Sequence, residues 1–141
     1  WAYYVEFLAE DMQLYETPLD QFGRLAARLR RATRLIVDPG LNIHGWSREE
    51  AASYLRQNTP FAEGDIQSVI NRYWTWPGQS VSYELSVHKF LELENHAAQS
   101  LGDDYDIREF HQTVLATGNI PLFTLEKVVQ DWIEGKTNLA N

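Results

Sequence analysis

The sequence of 141 residues contains no cysteine, which excludes disulfide bonds and metal sites built from thiolates. No apolar run approaches the roughly 20 residues that a membrane-spanning helix requires, so we predict no membrane association. Positive charge is scarce, with 12 Lys and Arg against 20 Asp and Glu and a net charge of -8. Because proteins bind nucleic acids through clustered positive charge, we predict no general nucleic-acid surface.

One short segment departs from this acidic composition. Five arginines and no acid occur between positions 24 and 34: Arg24, Arg28, Arg30, Arg31 and Arg34. The simplest interpretation is a solvated helix face that pairs with the protein's own carboxylates, since charge runs on helices are usually of this kind. The alternative is a local nucleic-acid site, which predicts salt-sensitive binding to a duplex.

No window has the alternating pattern of a β-strand, and the sequence predicts an all-α fold of roughly seven helices joined by short loops. Thr17 and Pro18 indicate a helix start, and Ser47 with Glu50 forms a capping-box pattern. We expect the second helix to end near Val37, because Pro and Gly follow it. The predicted helices cover residues 2–12, 18–37, 47–58, 65–74, 80–101, 106–115 and 121 onward, with a frayed tail over 134–141.

The second predicted helix carries a long apolar stripe. Its members recur at helical spacing on one face: Leu19, Phe22, Leu25, Ala26, Leu29, Ala32 and Ile36.

The chain opens inside a helical pattern at Trp1 with no capping residue before it. We therefore expect residues 1–141 to be a single helical region that belongs to a larger domain, with further residues upstream of Trp1.

Motifs for a self-contained active site are missing. The sequence has no HExxH zinc helix, no glycine-rich phosphate loop and no G-x-S-x-G elbow. Its four histidines have no spacing typical of a metal site. Any catalytic role therefore depends on residues that are not visible as a motif.

The segment NRYWTWPGQSVSYELS, residues 71–86, is the strongest candidate for a functional element. It places Gln79 and Tyr83 at the start of a helix, where the N-terminus adds positive potential. An amide and a phenol held there could donate hydrogen bonds to a developing oxyanion or to a peptide backbone. The alternative is a helix cap followed by a buried tyrosine whose hydroxyl is satisfied.

This segment resembles a signature, R-Y-x-x-x-P-G-Q-A-x-S-Y-K, of the bacterial family catalogued as domain of unknown function 885. The matching positions are Arg72, Tyr73, Pro77, Gly78, Gln79, Ser82 and Tyr83. Three further segments resemble the family in the same order: WAYYVEFLAEDMQLY, RATRLIVDPGLNIHGWSREEA and FHQTVLATGNIPLFTLEKVV. The resemblance implies a helical fold akin to zinc metallopeptidases, with the metal motif upstream of Trp1, so that this chain is the C-terminal portion.

The resemblance also implies roles for individual residues. Tyr83, assisted by Gln79, becomes a candidate oxyanion donor, and His111 is a third candidate catalytic residue unless it is an ordinary core histidine. Arg72 and Tyr73 are candidate substrate-binding residues, with Arg72 holding a carboxylate or instead forming an ion pair.

Glu6 is a candidate metal ligand by the same resemblance, or a residue that supports one. The resemblance implies zinc in the intact parent protein, where it would polarise the scissile carbonyl and activate water. No zinc is expected on this chain alone.

Three positions depart from the family pattern. Asn42 replaces a common histidine, Glu84 replaces a lysine and Ser86 replaces a glycine. Two hypotheses remain open: one wall of a peptidase-like hydrolase, or a non-catalytic helical binding module. The expected partners are the N-terminal half of the same protein and a peptide substrate, with self-association of the isolated chain as a further expectation. Both the bacterial cytoplasm and export fit the sequence.

Overall fold

The computed structural model describes the backbone of residues 1–140 and the side chains of residues 1–138, and this part of the chain is helical without a strand. The predicted all-α fold is confirmed. The helices are α1 (Tyr4–Asp11), α2 (Pro18–Ala32), α3 (Arg34–Asn42), α4 (Arg48–Asn58), α5 (Glu63–Thr75), α6 (Ser82–Leu101), α7 (Ile107–Ala116) and α8 (Leu122–Ala140). A 3-10 turn, Gly102–Asp104, follows α6. None of the helices in this described part is long and apolar enough to cross a membrane.

The chain divides into two compact units, Trp1–Leu85 and the residues from Ser86 onward. In the first unit, α3, α4 and α5 contact one another, and α2 contacts α3. Their shared core consists of small and branched side chains closed by one buried ring: Val37, Leu41, Ala51, Ala52, Leu55, Ile66, Val69, Ile70 and Tyr73. In the second unit α7 packs against α8, with Phe110, Val114, Leu125, Val129 and Ile133 buried.

Both predicted helix starts are present, and each one is closed by a capping box. The Thr17 hydroxyl accepts from the backbone N–H of Asp20 at the start of α2, and the Asp20 carboxylate accepts from the backbone N–H of Thr17. Ser47 and Glu50 form the same reciprocal pair at the start of α4. Local sequence therefore fixes where these two helices begin.

The predicted helix break at Pro39 and Gly40 is wrong. The division lies instead at Thr33, whose hydroxyl donates to the backbone oxygen of Arg30 at 2.9 Å, a contact that bends helices. α3 then runs through Pro39, and the backbone oxygen of Pro39 accepts from Ile43 at 2.8 Å. Four of the nine residues of α3 are buried: Val37, Asp38, Gly40 and Leu41. This burial outweighs the loss of the hydrogen bond that proline removes.

Gly40 lies inside α3 for a packing reason. A Cβ added at this position would lie 2.6 Å from ring atoms of Trp46. The indole therefore rests directly on the helix backbone, and it also contacts Tyr54 with ring centroids 5.8 Å apart.

One further expectation needs correction. The tail does not fray after Ile133, since α8 continues to Ala140; Asn141 lies outside the described residues. The predicted apolar stripe of α2 is present, and no residue of α2 is buried. This exposure bears on function and is developed below.

Candidate functional site

A buried carboxylate organises the loop between α5 and α6. Asp38 of α3 is 2% exposed. It accepts hydrogen bonds from the backbone N–H of Gly78 at 3.0 and 3.2 Å, from the Ser80 hydroxyl at 2.5 Å and from the Asn42 amide at 2.9 Å. A backbone N–H, a hydroxyl and a side-chain amide therefore all donate to one carboxylate. Such hydrogen bonds offset the cost of burying it.

This loop has the conformation that its glycine permits. Gly78 has a φ of +80°, a region that residues with a side chain rarely adopt. The loop then leads into α6, and the Ser82 hydroxyl donates to the backbone oxygen of Gln79 at 2.7 Å. The anchored turn thus fixes the position of Gln79 at the entrance to α6.

Two exposed side chains and one half-buried side chain between them form a hydrogen-bonded row beside this turn. Arg72 donates to the Gln79 amide oxygen at 3.2 Å, and the Gln79 amide nitrogen donates to the Tyr83 phenol oxygen at 3.3 Å. We call Arg72, Gln79 and Tyr83 the donor row. The Arg34 guanidinium lies 5.0 Å from the centre of the Tyr83 ring and adds positive charge there.

The donor row can bind an acceptor-rich ligand. Guanidinium groups carry five N–H donors, and the contact with Gln79 occupies only one of them. The Tyr83 oxygen accepts from Gln79, so that contact does not use its own O–H. These groups are suited to a carboxylate and to a carbonyl oxygen.

Tyr73 lies apart from this row. It is 1% exposed and belongs to the core between α3, α4 and α5. Burial raises the pKa of its phenol, and the nearby Arg34 opposes that rise. Trp74 and Trp76 are exposed, by 50% and 60%, so the aromatics of this segment divide between a core and a surface. A substrate-binding role for Tyr73 stays a prediction.

Two of the departures from the family pattern lie outside the donor row. Asn42 donates to Asp38 and, at 3.1 Å, to the backbone oxygen of Tyr73, so it joins α3 to α5. Glu84 is 4% exposed and lies beside Tyr3. Burial, together with the Glu84 carboxylate, raises the pKa of Tyr3 to about 12.

Glu6 is engaged by an arginine. Both of its carboxylate oxygens accept from Arg31, at 2.6 and 2.9 Å, and the same guanidinium lies 4.3 Å from the centre of the Tyr3 ring. A metal ion at Glu6 would have to displace this bidentate pair. Within the described residues, no three His, Cys, Asp or Glu side chains are grouped to hold a metal.

His111 belongs to the second unit, on α7, where its ring centroid lies 5.9 Å from that of Phe110. Burial lowers the pKa of the imidazole, and Glu94 acts in the opposite direction. Its catalytic role stays a prediction.

The residue that sequence reasoning missed is Asp38. The signal was present, because an acid stands inside the apolar run LIVDPGL. A buried acid in such a run requires donors, and the loop after α5 supplies them.

The chain is similar to a known bacterial family and to a solved structure. A family model described as "Bacterial protein of unknown function (DUF885)" matches residues 1–129. A crystal structure of a candidate lipoprotein from Colwellia psychrerythraea is similar over 96% of this chain, with a TM-score of 0.93 and 43% identity. The match covers 23% of that protein, so this chain spans about a quarter of its length. No curated protein gives a significant match.

Proposed function

The chain belongs to the bacterial family of unknown function 885, and we propose that it supplies one wall of the substrate cleft of a peptidase-like hydrolase. The observation that carries this proposal is the donor row on its anchored turn. Its three side chains are interlinked and rich in hydrogen-bond donors, and Arg72 and Tyr83 are exposed. A wall of this kind binds a substrate without itself supplying a nucleophile.

In this proposal each member of the donor row has its own ligand group. Arg72 binds the carboxylate of a peptide substrate, because a guanidinium matches a carboxylate in a bidentate manner. Tyr83 donates its O–H to the carbonyl oxygen on which charge develops. Gln79 joins the two, and the turn that Asp38 anchors holds Gln79 in place before the substrate arrives.

The zinc implied by the family resemblance does not fit a site made from these residues alone. The described side chains form no three-residue metal cluster, and Glu6 is held by Arg31. We therefore propose that the metal is bound by the N-terminal half of the parent protein. Glu6 and His111 remain candidates that such a half would have to recruit.

The test uses the complete gene product and peptides that differ only in a free or amidated C-terminus. Arg72→Gln should raise KM for the free-carboxylate peptide and leave the amidated peptide nearly unchanged. Tyr83→Phe should lower kcat by about tenfold or more, because a donor aimed at a developing oxyanion is lost.

Two matched controls separate site effects from general damage. Arg48→Gln removes an exposed guanidinium that contacts Asn71, at the same corner of the first unit but outside the donor row. Tyr15→Phe removes a phenol that donates only to a backbone oxygen, at 3.4 Å. Equal losses in the controls and the donor-row variants would contradict the proposal.

A second candidate function is a non-catalytic binding module. The donor row itself favours it, because Arg72, Gln79 and Tyr83 provide hydrogen-bond donors but no carboxylate or imidazole that could act as a general base. Carboxylate-dependent peptide binding without turnover, abolished by Arg72→Gln, would select this candidate.

A further inference from the structure

The charged side of α2 faces inward. Arg24 donates to Glu10 of α1 at 2.5 Å, and Arg31 forms the bidentate pair with Glu6 of the same helix. The side chains of these two arginines are only 10% and 22% exposed. The predicted pairing with the protein's own carboxylates is present at Arg24 and Arg31, but the predicted solvated face is wrong for these two side chains, which are largely covered.

The apolar side of α2 faces outward. Leu19, Phe22, Leu25 and Leu29 are exposed by 77%, 63%, 51% and 44%. They lie at the i, i+3, i+6 and i+10 spacing of one helix face. Single exposed apolar residues are common, but a contiguous stripe of this length marks an interaction surface.

The stripe forms one side of a groove. Phe22, Leu25, Ala26 and Leu29 face residues 57–60, which end α4 and begin the next loop, across an open space of about 560 Å³. We call this the α2 groove. The α2 side of the groove is apolar, and the opposite side carries the polar side chains of Gln57, Asn58 and Thr59.

We infer that the α2 groove is the docking site for an amphipathic helix from another segment of the complete gene product. About three-quarters of the similar protein from Colwellia psychrerythraea lies outside the part that this fold covers, since the match spans 23% of its length. A helix laid into the groove would cover the stripe with its own i, i+3, i+7 positions. This inference does not rest on the proposed hydrolase activity.

The charges beside the groove favour a partner with acidic flanks. At 100° per residue, Arg28 and Arg30 lie on opposite borders of the stripe. Arg28 is near the Phe7 ring at 4.9 Å and Arg30 near the Phe61 ring at 5.1 Å, and both residues are exposed. Two copies of α2 packed face to face would bring these arginines together, so like-charge repulsion disfavours a symmetric dimer through this helix.

The absence of cysteine allows a clean test by thiol labelling. Leu25→Cys places one reporter in the groove, and Phe123→Cys places a control at an exposed apolar position of the second unit, 76% exposed. Both are compared in the 141-residue chain and in the complete gene product. We expect labelling at Leu25→Cys to be about tenfold or more slower in the complete product, because a docked helix must open first. Labelling at Phe123→Cys serves to correct for general differences between the two proteins.

Charge reversal then identifies the partner's chemistry. Arg28→Glu with Arg30→Glu should restore fast labelling of Leu25→Cys in the complete product, whereas Arg108→Glu, an exposed arginine of the second unit, should not. Equal labelling rates in the two proteins would overturn the inference. So would protection that is already present in the 141-residue chain and grows with its concentration, because the occupant would then be a second copy.

Discussion

α2 and α3 are consecutive in the chain and contact each other, yet they are stabilised in opposite ways. α2 has a capping box, a proline at its first position and a continuous apolar stripe, but no buried residue. α3 has no side-chain cap and contains Pro39 and Gly40, but it buries four of its nine residues. The comparison separates what makes a helix from what makes a core.

The difference shows that local signals determine where a helix begins, whereas tertiary packing determines whether a helix with a poor local sequence is stable. Caps satisfy the backbone N–H groups at a helix start whatever surrounds the helix. Burial, in contrast, can hold a helix together through a residue that would end it in isolation. Substitutions placed at equivalent features of α2 and α3 should therefore have unequal effects.

The largest effect is expected at Asp38 of α3. Asp38→Ala leaves the Gly78 N–H, the Ser80 hydroxyl and one Asn42 donor without their acceptor. The Ser80 hydroxyl is buried, and all three lost hydrogen bonds run to one carboxylate, so the free energy of unfolding should fall by about 2–4 kcal/mol in a denaturant titration. The exposed acid Asp65→Ala is the control, with an expected change within about 0.5 kcal/mol. Similar losses at the two sites would mean that the Asp38 network contributes little.

The next largest effect is expected from Gly→Ala, which should change the free energy of unfolding in opposite directions in α2 and α3. Gly40→Ala places a Cβ 2.6 Å from the Trp46 ring, and overpacking should lower the free energy of unfolding by about 1–3 kcal/mol. Gly23→Ala meets nothing within 4 Å and improves helix propensity, so it should raise that free energy by about 0.5–1 kcal/mol. Thermal melts of the two variants measure both. A loss at Gly23 would show that α2 is already covered in the tested protein.

The smallest effect concerns acid. Hydrogen bonds from the Thr17 hydroxyl and backbone N–H lower the pKa of Asp20 below its usual value. This carboxylate therefore stabilises the fold above its ordinary pKa, and that stabilisation is lost as the pH falls through the lowered value. Thr17→Ala should move the pKa of Asp20 part of the way back, as followed by NMR titration.

The equivalent cap of α4 provides the control for that titration. Ser47 lowers the pKa of Glu50 in the same manner, mainly through its backbone N–H. In the Thr17→Ala variant the pKa of Glu50 should stay where it is. A shift of both acids would indicate a general change in the fold, and no shift of either would contradict the capping argument.

Much of the fold follows from sequence signals that act over a few residues. Thr17 with Pro18 and Ser47 with Glu50 mark helix starts that the structure confirms. The helix through Pro39 was not predictable from these signals, because the packing of Trp46 on Gly40 joins residues in different elements.

The candidate site was predicted in part for the same reason. Arg72, Gln79 and Tyr83 share one short segment, and the structure brings them into one hydrogen-bonded row. Their anchor, Asp38, lies 40 residues from Gly78 in the chain, and no local pattern connects the two. The outward face of α2 was equally hidden, because a stripe indicates an apolar side but not what covers it.

The contact between Asp38 and Gly78 also has a consequence for the order of folding. It closes a loop of 40 residues, a distance at which closure entropy opposes early formation, whereas the helices on either side close their own bonds over four residues. We expect the turn that carries Gln79 to be among the last parts of the first unit to become ordered. The amide proton of Gly78 would then exchange with solvent only when its hydrogen bond to Asp38 opens. Its exchange rate would therefore report on the ordering of the donor row separately from the helices around it.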